Sequence, residues 1–304
     1  MAARCSLLDA KKASGSRLFH LDVARSLAAQ LCLAVSFVHT QGFVHGDLHL
    51  DNMLLRLPQA LNKLSIPQFY ACFGHPEPQL VRRLDGKPNP PGVPSHLFPP
   101  VWLGVASHEL ILPEATLLLA DFGVAWRPSD ESRSISQIPL VMRPPEAFFE
   151  PEIPLTFASD VWSLGCAIFE ILAHRSLIDG FIAPQDEITA QQIHLQGILP
   201  HEWWETWEKR SKWFDQDGKP LSNDCDVWNW ERRFEEWVQE PRSDKGMTVL
   251  NGDEKRALLE LLQRMLSWRP EERPSVQDVL ASAWMRDWAL PAFEQGERRR
   301  RHPG

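Results

Sequence analysis

Phe43-Val44-His45-Gly46-Asp47-Leu48-His49-Leu50-Asp51-Asn52 sets His45, Asp47, His49, Asp51 and Asn52 between two apolar flanks, with Met53, Leu54 and Leu55 following. Polar groups wedged between buried segments are costly unless they pair or do chemistry. A carboxylate and an amide five positions apart on one loop can reach one substrate and one metal ion. Phosphoryl transfer needs that arrangement: Asp receives the hydroxyl proton, and Asn holds Mg²⁺ against the phosphates. Read alone, the stretch is equally a polar loop that caps the preceding helix.

Upstream, Leu21, Val23, Leu27, Ala28, Leu31, Val35 and Val38 follow a helical period and predict a helix over 19–39. Gly42 ends it as a left-handed cap. Downstream, Met53–Leu55 reads as a short strand. Proline then recurs from Pro58 to Pro113, with turns at Gly74, Gly86 and Gly92. Irregular stretches beyond ~12–15 residues are unusual in a compact domain, so 57–113 reads as a surface insertion. Leu64, Ile66, Phe69 and Tyr70 suggest one short helix in it, packed onto something.

Thr116–Ala120 is a strand leading into Asp121-Phe122-Gly123, which puts a carboxylate at the strand's end with Gly123 free to turn. Residues 157–173 predict a helix apolar nearly all round, hence central and buried. Asp160 in its first turn stands where the helix dipole favours an anion. Residues 186–245 hold seven tryptophans among acids and lysines, read as packing anchors on short amphipathic helices. A further amphipathic helix spans 253–268. Arg269-Pro270 stops it, and Pro274-Ser275 starts the next with proline at N1. Arg298–Arg301 forms a basic cluster on a frayed tail, either solvated or a weak nuclear-targeting patch.

The chain has 304 residues, 43% hydrophobic and 24% charged, enough for a sizeable core. No apolar run of eighteen residues occurs, so no transmembrane helix is predicted, and the N-terminus lacks the apolar stretch of a secretory signal. The five scattered cysteines (Cys5, Cys32, Cys72, Cys166, Cys225) read as reduced thiols of an intracellular protein, cytoplasmic or nuclear. Net charge is -8, and residues 128–190 carry most of it, with ten acids against three arginines. That sign disfavours nucleic acid and suits a basic partner.

In order, the chain presents His45-x-Asp47-x-x-x-x-Asn52, Asp121-Phe122-Gly123, Pro144-Pro145-Glu146, Ser159-Asp160-Val161-Trp162-Ser163-Leu164-Gly165 and Arg269-Pro270-x-x-Arg273-Pro274-Ser275. Together these resemble the large, C-terminal lobe of a eukaryotic protein kinase, from about residue 19 to about 290. The long insertion, Arg-Pro-Pro-Glu and Trp203-Trp204 look like the SR-protein-kinase branch of the CMGC group, in its fungal form.

The fold so implied is α+β, mainly α-helical, with a Pro-rich and a Trp-rich helical insertion. Residues 1–18 are a short N-terminal segment, 19–290 the lobe, and 291–304 the basic tail. The resemblance implies that Asp47 orients the substrate hydroxyl and accepts its proton. Asn52 and Asp121 would hold Mg²⁺ on the phosphates of ATP. His45 would pack the loop against Phe122 and Gly123, Asp160 would bond loop N–H groups from below, and Glu146 would pair with Arg273. The implied substrate is an Arg/Ser-rich protein, with the acid-rich 128–190 region as its docking face.

The departures from the pattern matter. Gly46 stands where many kinases carry the arginine that reads an activation-loop phosphate. His49 replaces the lysine that neutralises the transferring phosphate; imidazole is a cation only below its pKa of ~6.5. About eighteen residues precede the first lobe helix, without Gly-x-Gly-x-x-Gly or a Val-Ala-Ile-Lys-like strand. The expectation is therefore a large lobe whose small lobe is missing, weakly active or inactive as this chain. Two alternatives stand beside a serine/threonine kinase: a non-catalytic module binding Arg-rich peptides, and a small-molecule phosphotransferase. The latter is suggested by His45-Gly46-Asp47-Leu48-His49, which is close to the aminoglycoside and choline kinase loop.

Overall fold

The computed structural model describes residues 3–221 and 227–302. Its elements are β1 (Ala3–Ser6), α1 (Leu7–Lys12), α2 (Leu21–Thr40), β2 (Met53–Arg56), α3 (Ile66–Phe73), β3 (Gln79–Leu80), β4 (His96–Leu97), β5 (Leu117–Leu119), α4 (Glu146–Phe149), α5 (Phe157–Leu172), α6 (Gln185–Gln196), α7 (His201–Thr206), α8 (Trp230–Phe234), α9 (Glu240–Asp244), α10 (Gly252–Met265), α11 (Val276–Leu280) and α12 (Leu290–Arg301). The architecture is the expected mainly helical α+β one.

Helices α2 and α5 form the centre. Val161, Trp162, Leu164 and Ile168 of α5 are buried with Leu27, Leu31 and Val35 of α2, and α10, α11 and α12 close around them. Each fully buried Leu, Ile or Val contributes roughly 1.5–3 kcal/mol, so this seam anchors everything mounted on it. Helix α2 stops as its sequence dictates. Gly42 takes φ +82°, and Gly42 N–H and Phe43 N–H donate back to the carbonyls of His39 and Val38, closing the helix end. By length and composition alone α2 could cross a membrane, contrary to the expectation drawn from unbroken apolar runs. Here it is the core helix.

A small antiparallel sheet, ordered β1-β2-β5, lies over the helices. Met53, Leu54 and Leu55 pair with Leu119, Leu118 and Leu117, while Cys5 and Ser6 pair with Leu55 and Leu54. Residues 3–12, expected only as a short segment, thus supply an edge strand and a helix. Ser6 caps α1 through a reciprocal box with Asp9.

Several expectations need correcting. Helix α3 forms, but buries no residue; its aromatic side chains are only partly buried, and Ile66 stands 69% exposed. The insertion expected over 57–113 divides in two. Residues through Trp102 are largely exposed, whereas Val105, Ser107, Leu110 and Leu112 are buried. Ser107 ties that second part down, its N–H bonding Ala10 O and its Oγ bonding Leu18 O, both at 2.8 Å. Pro274 is not at N1. Ser275 is the N-cap of α11, in a reciprocal box with Asp278, because a hydroxyl satisfies a first-turn N–H that proline leaves open. The basic tail is not frayed: α12 is helical to Arg301. Ala292 and Gly296 are buried, a Cβ at Gly296 would press within 3.3 Å of Leu112 O, and Arg300 donates to Pro113 O at 3.0 Å.

The tryptophans pack as anchors. Trp203, Trp204, Trp207 and Phe214 form a satellite core, with Trp203 stacked on Phe149 at 5.2 Å. Their indole N–H groups reach acids, Trp203 to Glu150 and Trp207 to Asp186, both at 2.9 Å. Cys5, Cys32, Cys72 and Cys166 are free thiols; Cys225 lies outside the described residues.

Candidate active site

The loop between α2 and β2 hangs from Asp160. That carboxylate is fully buried and accepts three bonds: from His45 N–H at 2.7 Å, from Gly46 N–H at 2.9 Å, and from His39 Nε2 at 2.9 Å. An acid in the first turn of α5 thus satisfies the donors of a buried loop, and the dipole of α5 favours its charge. His39, on the last turn of α2, is a partner that sequence reasoning missed.

His45 is itself fully buried. Its Nε2 bonds Ala120 O at 3.0 Å, and its Nδ1 accepts Asp47 N–H at 3.3 Å. These two bonds fix one neutral tautomer. Its ring meets Phe122 at 4.8 Å between centroids, so His45 joins the loop to Asp121-Phe122-Gly123.

Gly46 has a physical reason. It sits at φ +76°, and a Cβ there would lie 2.5 Å from the Trp126 ring. Any side chain would need both a left-handed backbone and a displaced indole. Trp126 carries no sequence signal for this role; the bridge between Val44 and Trp126 places it.

Asp47 and Asn52 meet directly. The Asn52 amide nitrogen donates to Asp47 O at 3.0 Å and to Asp47 Oδ2 at 2.9 Å. With the amide nitrogen committed to Asp47, the amide oxygen remains as the group that could ligate a metal. Asp47 Oδ1 is buried without a hydrogen bond, and His49 Nε2 lies 3.4 Å from it, an ion-pair distance rather than a hydrogen bond.

Ala120 N–H pairs with Asn52 O at 2.9 Å, which brings Asp121 to Asn52. Asp121 is exposed and takes φ +62°, a left-handed conformation that Asp tolerates better than most residues. Its Oδ1 accepts Gly123 N–H at 3.3 Å.

Asn52 and Asp121 suit Mg²⁺ carried on a nucleotide. Mg²⁺ prefers one or two protein oxygens, with phosphates and water completing its octahedron. Among the described residues no group of three or more His, Cys, Asp or Glu could cage an ion by itself. A bound Mg-nucleotide would supply the transferable phosphoryl group and neutralise its charge.

The segment that leads into α4 is fixed from below. Glu146 and Arg273 form a buried pair, with 2.8 and 2.6 Å bonds. Ser163 Oγ donates to Met142 O at 2.8 Å, a support the sequence reading overlooked, although Ser163 belongs to the motif around Asp160. Lys11 was missed too. It is fully buried, and its Nζ donates to the carbonyls of Glu170 and Ala173, the latter at 2.7 Å. Burial pushes its pKa down to about 7 and pushes that of Glu170 up.

The acid-rich 128–190 region is not one free face. Asp160, Glu146 and Glu170 are buried. Asp130 pairs with Arg127, Glu131 with Arg133, Glu150 with Arg269, Asp179 with Arg175 and Asp186 with Lys209.

Fold and site together define the helical lobe of a phosphotransferase. The chain belongs to the protein kinase domain family, which matches residues 108–285, more than half of it. That match begins after the loop at 43–52, so the positions of Asp47 and Asn52 rest on the geometry above. A serine/threonine protein kinase of Aspergillus fumigatus (AFUB_078980) is 26% identical over 55% of this chain and 40% of its own length. The ovarian-specific serine/threonine-protein kinase Lok of Drosophila melanogaster is 22% identical over 93% of this chain and 38% of its own. The crystal structure of the PF14_0431 kinase domain superposes with a TM-score of 0.55 at 19% identity, covering 93% of this chain and 71% of that one; it shares the fold. The chain spans about 40% of the length of these curated relatives.

Proposed function

We propose that the protein transfers the γ-phosphoryl group of Mg-ATP to a serine or threonine hydroxyl of a protein substrate. The observation that carries this reading is the Asp47–Asn52 bond beside Asp121. In this reading a proton acceptor and two oxygen ligands would stand at the end of one sheet, over a loop held by Asp160. Asp47 accepts the hydroxyl proton, Asn52 and Asp121 take Mg²⁺, and His49, when protonated, adds positive charge beside Asp47.

The resemblance to SR-protein kinases carries a finer reading, a serine flanked by arginine, and the net charge of -8 supports it. Against it, most acids of 128–190 are internally paired. The choice of flanking residue therefore falls to the cleft itself. The Gly-rich loop and strand lysine do not occur within these 304 residues, so transfer by this chain alone is expected to be slow. The free thiols Cys5, Cys32, Cys72 and Cys166 fit a reducing compartment, cytoplasmic or nuclear.

The test is incorporation of labelled phosphate from Mg-ATP into a degenerate Ser/Thr peptide library. Incorporation that disappears in Asp47→Asn and in Asp121→Ala supports the reading. No incorporation above the Asp47→Asn background refutes it for this chain. Retained peptide binding in that case would favour the non-catalytic module.

A further inference from the structure

The catalytic loop opens into a cleft of about 770 Å³. His49, Leu50, Pro139–Met142, Phe181 and Ala183 are among the residues that line it. Most of this lining is apolar, so the few charges along it decide what a bound peptide meets.

Those charges come from four places: His49 and Asp51 on the loop, Lys12 and Arg17 at and after the end of α1, Glu170 on α5, and Asp179 in the turn that follows. The acids are already engaged. Glu170 is 4% exposed, and Ser176 hydrogen-bonds its carboxylate. Asp179 pairs with Arg175 at 2.5 Å and accepts Phe181 N–H at 3.1 Å. Asp51 accepts Ser6 Oγ at 3.2 Å. Lys12 and Arg17 are exposed, and neither side chain is held in an ion pair or a hydrogen bond among the described residues.

Arg17, with Ser176, Asp179 and Gly180, also lines an adjoining polar hollow of about 330 Å³, to which His174 and Arg175 contribute. His174 Nδ1 is buried there without a hydrogen-bond partner. The Arg17 backbone is held in place. It takes φ +56°, with its N–H bonded to Ser14 O at 3.1 Å, and Ser14 Oγ lies 2.8 Å from His108 Nδ1. A loose surface arginine does not need such a frame.

We propose that this cleft selects a phosphoacceptor flanked by an anionic residue, aspartate, glutamate or a phosphorylated side chain, read by Lys12 and Arg17. Free guanidinium and ammonium groups beside an apolar floor bind carboxylate and phosphate oxygens strongly. An arginine in the same place would face two like charges, Lys12 and Arg17. The inference rests on the kinase reading and narrows its substrate to a class other than the arginine-flanked peptide.

The experiment measures binding separately from transfer. Peptides with alanine in place of the acceptor serine, flanked by glutamate, phosphoserine or arginine, are titrated onto the full chain by fluorescence anisotropy. The better of the two anionic peptides is expected to bind about tenfold tighter than the arginine peptide, and the ranking of glutamate against phosphoserine identifies the anion. The preference should vanish in Lys12→Ala/Arg17→Ala and reverse in Lys12→Glu/Arg17→Glu, with unfolding midpoints unchanged because both residues are exposed. Equal or tighter binding of the arginine peptide overturns the proposal. So does binding of none of the three, or an anionic preference that survives the double alanine variant. An anionic preference without phosphate transfer to the matching serine peptide sinks the kinase reading and leaves the selectivity standing.

Discussion

Glu146 and Arg273, 127 residues apart, meet as a two-pronged buried pair, Oε1 to Nη1 at 2.8 Å and Oε2 to Nη2 at 2.6 Å. The same guanidinium donates to the carbonyls of Ser267, Ala158 and Trp268. One side chain therefore binds the start of α4, the start of α5 and the turn after α10 together.

Arg273→Ala should cost about 3–5 kcal/mol, because it strands a buried carboxylate and three carbonyls. Arg273→Lys should recover little, since an ammonium cannot reproduce the fork. Urea unfolding measures both. A loss of about 1 kcal/mol or less, the size of a surface pair, would contradict this assignment.

Asp160→Ala removes the acceptor of His45 N–H, Gly46 N–H and His39 Nε2. Leaving buried donors unpaired costs roughly 1–3 kcal/mol each. Amide hydrogen exchange at His45 and Gly46 should speed up by about a hundredfold, while exchange in the distant α10 stays near the wild-type rate. Unchanged protection at 45 and 46 would mean that the loop is held by something other than this carboxylate.

Gly46→Ala meets two obstacles, the left-handed backbone and the Trp126 ring. It should destabilise the fold by more than about 1 kcal/mol. In a Trp126→Leu background the ring is gone and only the backbone strain remains, so the same substitution should cost measurably less. A double-mutant cycle without coupling would remove Trp126 from the explanation.

Lys11 gives a pH signature. Its pKa falls from 10.5 to about 7 in the fold, chiefly by burial. Between those values the unfolded chain binds more protons than the folded one, so stability rises with pH. The penalty of burying the lysine is full below pH 7 and is relieved toward pH 10. Glu170 is shifted upward by burial and acts with the opposite sign at lower pH, so the comparison is made with it removed. From pH 7.5 to 9.5, Glu170→Gln should gain up to about 1.4 kcal/mol per pH unit over Lys11→Met/Glu170→Gln. Cys32 and Cys166, whose thiols burial pushes up, affect both proteins alike. Parallel stability curves for the two would show that Lys11 titrates normally.

The sequence by itself determined the elements whose signals are local. The helical period around Leu27 and Leu31, the Gly42 cap, the Leu117–Leu119 strand and the ordered motifs from His45 to Arg273 stand where their chemistry predicts. The resemblance to the kinase lobe implied Asp160, Glu146 and Arg273 as supports, and each of them meets its implied partner.

Other features were decided only by the tertiary structure, because they depend on which distant segments come to lie together. Lys11 reads as an ordinary surface lysine until the end of α5 covers it. Trp126 explains Gly46 only once the two are in contact. The acids of 128–190 look like one docking face along the chain, and the fold gives most of them internal partners. Arg17 and Lys12 have no motif at all; it is the folding of the segment around α1 against the cleft beside His49 that leaves them facing it unpaired. Periodicity and spacing report a residue's own backbone, whereas pairing and exposure are properties of the neighbours the fold supplies.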